Sequence, residues 1–168
     1  RGRREQHPQV LLRVAERPLQ GAQRLVLPVR GLARGKVVEV RDAALVGVLV
    51  AEGVGTGIIF DGQVYRGQRG AAGEFGHMVI GSGAPVPCSC GSDDCWEAFS
   101  SERAAIARYL KLSGASIETT FIEVVDRALA GEANAKAALV ETARHLGVGI
   151  SNLIIGFSPE AVVVGGEI

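Results

Sequence analysis

Residues 43–65 read AALVGVLVAEGVGTGIIFDGQVY, and this stretch decides the fold class. Its first part, AALVGVLVA, is a short apolar run rich in β-branched residues, which is typical of a strand. A glycine-spaced turn follows, and Asp61-Gly62 then separates IIF from QVY. An Asp-Gly pair is a strong signal for a two-residue type I′ hairpin, because both central residues need positive φ. The stretch therefore predicts a strand followed by an antiparallel hairpin.

Three helical patterns and a final strand follow farther along the chain. Apolar residues recur at three-to-four spacing in EAFSSERAAIARYLKL, SIETTFIEVVDRALAG and NAKAALVETARHLGVGISNLIIGF. Pro159 ends the last of these helices, and the AVVV after it has the pattern of a buried strand. The order strand, hairpin, helices, strand predicts an α/β domain.

The N-terminal part of the chain carries weaker signals. VLLRVAERPL predicts a short helix broken before Pro18, and RGLARGKVVEVRD predicts a loop with room for one strand. The chain begins with Arg1 rather than Met and stops within AVVVGGEI, where a strand pattern has just reached a glycine turn. We therefore expect both ends to be truncated.

Composition excludes several classes of function. The 168 residues suffice for one domain or part of a larger one, and 47% hydrophobic with 21% charged residues is typical of a globular chain. Lys and Arg number 18 and so do Asp and Glu, which gives no bulk charge for nucleic acid or an anionic membrane. No apolar run approaches the ~20 residues that span a bilayer, and no signal peptide is evident. We expect a cytoplasmic protein with no membrane partner.

A second stretch, GEFGHMVIGSGAPVPCSCGSDDCWE at residues 73–97, concentrates the reactive side chains. Its cysteines, spaced C-x-C-x4-C, are Cys88, Cys90 and Cys95. Gly91 allows a sharp turn, and His77 would complete a Cys3His set for tetrahedral zinc. The alternatives are a disulfide with a spare thiol, or three unrelated buried cysteines. An odd cysteine count in a cytosolic setting disfavours the first, and clustering disfavours the second.

Two of the four carboxylates in this stretch raise the possibility of a polyol site. If the loop folds back on itself, Glu74, His77 and Glu97 come together. Carboxylates accept hydrogen bonds from hydroxyls, and a zinc-bound imidazole keeps its second nitrogen available for one. The alternative makes Glu74 a helix-capping or surface acid and Glu97 a charge favoured by a helix dipole. The residues alone leave both interpretations open.

Three blocks of the sequence carry a family resemblance, and they read GQVYRGQRGAAGEFGHMVI, CSCGSDDCWEAFSS and LGVGISNLIIGFSPEAVVVGG. They resemble the ROK family of repressors, open reading frames and sugar kinases. The resemblance implies an actin-like, ribonuclease H-like ATPase fold of two α/β lobes, of which this chain supplies mainly the second, with a structural zinc loop. It assigns residues 43–168 to a sugar-binding and zinc-binding domain and leaves residues 1–42 as a poorly matched segment.

The resemblance also implies roles for single residues. It assigns zinc to His77, Cys88, Cys90 and Cys95, and sugar hydroxyls to Glu74, His77 and Glu97. Four protein ligands leave zinc no open position for water, so the metal would be structural. Gly165 and Gly166 would be glycines on the nucleotide side. Asp94 departs from the family, which usually has glycine there, and a positive φ at this position would suit Asp less well.

The glycine turn after the first strand bears on the choice between kinase and repressor. ROK kinases show G-T-G-I-G-x-G there, whereas this chain reads AEGVGTG and places Glu52 at the threonine position. A carboxylate facing phosphates is unfavourable, because the charges are alike. The turn would then be a phosphate-loop remnant, formed by Gly53, Gly55, Thr56 and Gly57. The alternative is that these glycines only permit a strand-to-strand turn.

The family's other catalytic motifs are missing as well. No N-terminal phosphate loop is evident, and aligning AER at residues 15–17 puts Pro8 where a kinase has its catalytic Asp. We therefore assign no catalytic residue and expect a sugar-sensing domain of a ROK-type regulator. The alternatives are a sugar kinase fragment, for which ATP would be the cofactor, and a domain kept only for dimerisation.

The partners of such a regulator follow from the same resemblance. It implies a small sugar ligand and a homodimer or homotetramer. DNA would be bound only through an upstream domain, because RGRREQH is basic but too short for a helix-turn-helix.

Overall fold

The computed structural model describes residues 25–27, 38–40, 44–115 and 118–166. Two short strands, β1 (Leu25–Leu27) and β2 (Val38–Val40), pair antiparallel. Strand β2 lies within RGLARGKVVEVRD, the segment predicted to be a loop with room for one strand. The helix predicted in VLLRVAERPL lies outside the described residues.

A four-stranded mixed sheet forms the centre of the described chain. Its strands are β3 (Leu45–Val50), β4 (Val54–Phe60), β5 (Gln63–Val64) and β6 (Ala161–Gly166), in the order β5-β4-β3-β6. Strand β4 runs antiparallel to both neighbours, and β6 runs parallel to β3. A parallel pair needs a long crossover, which the helices after the hairpin supply. The predicted α/β class is confirmed.

The hairpin forms at the predicted pair of residues. Asp61 and Gly62 both have positive φ, at 50° and 73°. They connect β4 directly to β5, so that Phe60 pairs with Gln63. This backbone twist matches the twist of the flanking strands, which is why a type I′ turn favours Asp-Gly.

Four helices follow the hairpin in the described residues, where the apolar pattern predicts three. They are α1 (Trp96–Ser100), α2 (Glu102–Ser113), α3 (Phe121–Leu129) and α4 (Ala133–Phe157). The first predicted helix is wrong as a single element, because Ser101 is extended and ends α1. The Ser101 hydroxyl accepts a hydrogen bond from the Ala104 amide at 3.3 Å and so caps α2.

The final strand is less buried than predicted. The AVVV pattern predicts a fully buried strand, but β6 is half-buried and Val164 is 44% exposed. The physical reason is position: within the described residues, β6 pairs only with β3 and lies at the edge of the sheet. Among the described helices, none is both long and apolar enough to cross a membrane.

Trp96 anchors α1 to the rest of the molecule. Its side chain is fully buried in a cluster with the valines of β3 and Leu153 of α4. The indole N–H donates a hydrogen bond to the His145 carbonyl at 3.1 Å. Gly149 of α4 lies directly against the ring, so that a Cβ there would overlap the indole. This packing fixes the start of α1, where Cys95 and Glu97 lie.

We expect Gly149→Ala and Gly147→Ala to change stability in opposite directions. A methyl group at position 149 would overpack the Trp96 ring and lower the free energy of unfolding by about 1–3 kcal/mol. Gly147 lies on the same helix with nothing within 4 Å of an added Cβ, so alanine there would raise the free energy of unfolding by about 0.5–1 kcal/mol. Denaturant unfolding of both variants measures this. Equal unfolding midpoints would contradict the packing described for Trp96.

Candidate metal and ligand site

The loop between the hairpin and α1 folds back on itself through a short backbone pairing. Val79 and Cys95 form an isolated antiparallel bridge. On one side of the bridge, the Trp96 amide donates to the Met78 carbonyl at 2.8 Å, and on the other the Ile80 amide donates to the Asp94 carbonyl at 3.3 Å. This pairing brings the residue before Met78, which is the candidate ligand histidine, next to the last cysteine.

A tight turn places the first two cysteines. The Gly91 amide donates to the Cys88 carbonyl, and the Cys88 amide donates to the Ser92 carbonyl, both at 3.2 Å. Gly91 has φ of 90°, a conformation that favours glycine, and this agrees with the sharp turn predicted there. The turn points Cys90 back toward the bridge, where its sulfur lies 3.4 Å from that of Cys95.

The four predicted metal ligands converge. One ligand atom from each of His77, Cys88, Cys90 and Cys95 lies within 4.8 Å of all the others. Tetrahedral zinc bound at ~2.3 Å from sulfur holds its ligand atoms roughly 3.8 Å apart, so small side-chain rotations would suffice. The three thiols are free, which does not match the alternative of a disulfide. This His/Cys3 cluster could therefore hold a metal ion.

Burial affects the three thiols unequally. Desolvation by burial raises the pKa of Cys88 to about 12, and it also raises the pKa of Cys95. Cys90 is exposed, and hydrogen bonding with the Ser92 backbone lowers its pKa. A buried thiolate is unfavourable without a compensating charge. A bound cation would supply that positive charge, which the apolar surroundings do not provide.

The two predicted sugar-binding carboxylates approach different members of the cluster. Glu74 Oε2 is 4.0 Å from His77 Nε2, and the Glu74 side chain is 70% exposed. Glu74 precedes a short 3-10 turn, Phe75–His77, but its side chain makes no capping hydrogen bond. Glu74 is therefore an exposed acid near His77 and not a helix cap.

Glu97 contacts both the cluster and the glycine turn. Its Oε1 lies 3.4 Å from the sulfur of Cys88, which in turn lies 3.3 Å from His77 Nδ1. Its Oε2 accepts a hydrogen bond from the Val54 amide at 3.1 Å. Glu97 is in the first turn of α1, as the dipole interpretation requires, but its carboxylate makes specific contacts beyond the helix. A continuous line of polar contacts thus runs from Glu74 through His77 and Cys88 to Glu97.

The residues predicted to form a phosphate-loop remnant differ in their contacts. Gly53 lies against the Glu97 carboxylate, whereas Gly55 and Gly57 have nothing within 4 Å of an added methyl position. The Thr56 hydroxyl donates to the Gly73 carbonyl and accepts a hydrogen bond from the Phe75 amide at 3.4 Å. Thr56 therefore supports the loop that carries Glu74 and His77.

The two glycines predicted to be on the nucleotide side lie beside the same turn. Gly165 and Gly166 end β6, and they pair with Leu49 and Val50 at the end of β3. Strands β3 and β6 are parallel, and ligands of α/β sheets bind at the carboxyl ends of such strands. Exposed Glu52 follows β3 at this edge. The sequence block that would hold a catalytic Asp, at Pro8 and residues 15–17, lies outside the described residues.

An apolar cavity of about 470 Å³ adjoins Glu74 and His77. Sequence reasoning missed its walls, because they come from separate parts of the chain. Its large apolar lining residues are Ile58, Tyr65, Phe75, Met78 and Phe157. The one sequence feature that could have indicated these residues is that three of the five are aromatic, in a chain with only 5% aromatic residues.

The profile of the ROK family matches residues 35–168. This chain belongs to the ROK family. The predicted membership is confirmed, and the mixed α/β sheet is that of ROK proteins, whose solved structures include sugar kinases.

Three ROK relatives show how the similarity is distributed. A putative xylose repressor from Caldicellulosiruptor sp. (strain Rt8B.4) is 37% identical over 131 residues, covering 71% of this chain and 33% of the repressor. The ROK hexokinase from Thermus thermophilus is 31% identical with a TM-score of 0.66, covering 73% of this chain and 40% of the hexokinase. A ROK glucokinase from Streptomyces griseus, solved with glucose and AMPPNP, is 30% identical with a TM-score of 0.63, covering 73% and 44%. The chain thus spans between about a third and a little under half of the length of each of these relatives.

Asp94 departs from the ROK pattern, which usually has glycine at this position. A positive φ was predicted to be uncomfortable for Asp94, but outside glycine the described residues with positive φ are Asp61 and Ser158. Asp94 adopts an ordinary φ, and its Oδ1 accepts a hydrogen bond from the Ala84 amide at 3.3 Å. The strain expected at this position is therefore absent, and the side chain instead tethers the loop before the cysteines.

We expect Cys95→Ser to abolish metal binding and to lower the free energy of unfolding by several kcal/mol, because structural metal affinity appears as folding free energy. Ser89→Ala, an exposed change between the first two cysteines, is the matched control. Elemental analysis and thermal unfolding of metal-protected preparations measure both effects. Less than about half a zinc per wild-type chain would contradict a dedicated zinc site.

Proposed function

We propose that this chain is the sugar-sensing, zinc-stabilised domain of a ROK-type transcriptional regulator that represses genes of sugar metabolism. The observation that carries the proposal is the unbroken line of contacts from Glu74 through His77 and the cysteine cluster to Glu97. The 37% identity to a putative xylose repressor supports the regulator class.

Zinc in this proposal has a structural role. It would be held by His77, Cys88, Cys90 and Cys95, and it would supply a fixed tetrahedral centre for the loop. Because all four ligands come from protein, no position remains for a water to be activated. The Cys3His set therefore suits a clamp that orients neighbouring groups.

The sugar would lie along the side of the cluster that carries the carboxylates. His77 Nδ1 faces Cys88, so its Nε2 remains directed outward near Glu74. With Nδ1 on the metal, Nε2 carries the proton and donates to a sugar oxygen. Glu74 and Glu97 accept hydrogen bonds from hydroxyls, and charge-assisted bonds of this kind are the stronger ones. Xylose is the first sugar to test, given the xylose repressor among the relatives.

The turn between β3 and β4 favours a regulator over a kinase. Exposed Glu52 lies where the kinases of the family have threonine, and its charge would repel phosphates. Thr56, whose hydroxyl could approach a phosphate, uses that hydroxyl to hold Gly73 and Phe75. The kinase alternative, in which ATP would lie near Gly165 and Gly166, is supported by the likeness to the Thermus thermophilus hexokinase.

Sugar binding would act by shifting a conformational equilibrium. A ligand changes DNA affinity only if it binds two states of the protein unequally, and a site between two lobes provides such a difference. DNA contact through an upstream domain, a homodimer or homotetramer, a cytoplasmic location and a domain boundary near residue 43 belong to this proposal.

The decisive experiment titrates the full-length protein with xylose, glucose and N-acetylglucosamine and measures its affinity for operator DNA. We expect one of these sugars to weaken operator binding and none to be phosphorylated when ATP is added. Sugar-dependent ATP consumption would favour the kinase alternative. If the protein binds zinc but none of these sugars, the remaining interpretation is a domain kept only for dimerisation.

We expect Glu74→Gln and Glu97→Gln each to weaken sugar binding by roughly 10- to 100-fold, since a hydrogen bond to a charged group contributes about 1.5–3 kcal/mol. Neither residue is in the cluster, so zinc content should stay at the wild-type value. Glu118→Gln, an exposed change before α3, serves as the control. Calorimetric titration with xylose, combined with elemental analysis, separates the two effects. Parallel loss of zinc and sugar would show that the carboxylates only stabilise the loop.

A further inference from the structure

We infer that Gly53 is a positioning residue for the Glu97 carboxylate, and that its role is to seat this carboxylate rather than to approach a phosphate. The consequence for sugar affinity rests on the proposed function. The contact itself does not, because it is a property of the turn between β3 and β4.

The contact involves the whole end of the Glu97 side chain. The Val54 amide donates to Oε2 at 3.1 Å. A Cβ at residue 53 would overlap the same oxygen and would lie 3.1 Å from Cδ and 3.8 Å from Cγ. The carboxylate therefore lies directly over the α-carbon of Gly53, in the space that the Cβ of any other residue would occupy.

Two contacts hold the Glu97 carboxylate in this seat. Its second oxygen already lies 3.4 Å from the sulfur of Cys88. With Oε2 held by the Val54 amide, the carboxylate is ordered before a sugar arrives. Ordering a free glutamate on binding would cost rotamer entropy, so a seated one binds more tightly.

The backbone of Val54 also supports the other half of the site. The Val54 carbonyl lies so close to Gly76 that a Cβ at residue 76 would overlap its oxygen. Gly76 immediately precedes His77 in the 3-10 turn. The peptide groups of Val54 thus contact Glu97 on one side and the His77 loop on the other, and they set the separation between the two ligand groups.

The remaining glycines of the turn do not share this constraint. Gly55 has nothing within 4 Å of an added methyl position, and its φ is not in the left-handed region. A phosphate-binding turn would expose its backbone at Gly53 and Gly55 alike and would lose function with either substitution. If the turn instead seats the carboxylate, only substitution of Gly53 should weaken sugar binding. The two substitutions therefore discriminate between the roles.

The test uses Gly53→Ala, Gly55→Ala, Glu97→Ala and the double variant Gly53→Ala/Glu97→Ala in the full-length protein. Calorimetric titration with xylose, glucose and N-acetylglucosamine and denaturant unfolding are measured for each. We expect Gly53→Ala to weaken sugar binding roughly tenfold or more, as for loss of one charged hydrogen bond. In the background of Glu97→Ala, Gly53→Ala should cost no further affinity and should not lower the free energy of unfolding.

Each other outcome counts against the inference. Wild-type sugar affinity in Gly53→Ala, equal losses in Gly53→Ala and Gly55→Ala, or additive effects in the double variant would overturn it. If the wild-type protein binds none of the three sugars, the proposed function fails, and the unfolding measurements still decide the contact. Destabilisation by Gly53→Ala that disappears in the Glu97→Ala background supports the seat, and destabilisation that persists there overturns it.

Discussion

The short backbone pairing of residues 78–80 with residues 94–96 is the constraint on which the site depends. It consists of one bridge, between Val79 and Cys95, and two flanking hydrogen bonds. Because it closes the loop between these two segments, it brings the histidine that precedes Met78 against the last cysteine. It also delivers Trp96 into the core between β3 and α4. The metal cluster and the start of α1 are thus positioned by the same few backbone groups.

The groups proposed to hold a metal and those proposed to contact a sugar share this loop without competing for atoms. The two ring nitrogens of His77 face in different directions, Nδ1 toward Cys88 and Nε2 toward Glu74. The two oxygens of Glu97 are divided in the same way between the Cys88 sulfur and the Val54 amide. A rigid support on one face leaves the other face ordered for binding, which is the usual purpose of groups placed behind a ligand site. The glycine turn, which sequence similarity associates with phosphate, is in contact with this support.

Local sequence signals predicted much of the fold, and the errors have identifiable causes. Asp61-Gly62 specified the hairpin because few residues accept positive φ twice in succession. The helical pattern from Glu97 onward hid the break at Ser101, since apolar spacing continues across a serine cap. A positive φ at Asp94 would have suited Asp less well than glycine, but its φ is ordinary, and its side chain accepts a tertiary hydrogen bond from the Ala84 amide. Burial of β6 could not be read from AVVV, because edge and central strands share that pattern.

By itself, the sequence determined the chemistry of this protein: a Cys3His donor set, two carboxylates, a glycine turn that carries Glu52, and an α/β order of elements. Those features depend on residue type and spacing along the chain, which are local. Only the tertiary structure decided which of them meet. The contact of Glu97 with Gly53 joins two elements far apart in the sequence, and Thr56 reaches Gly73 across 17 positions. Contacts of this kind depend on packing between elements, so spacing along the chain carries no record of them.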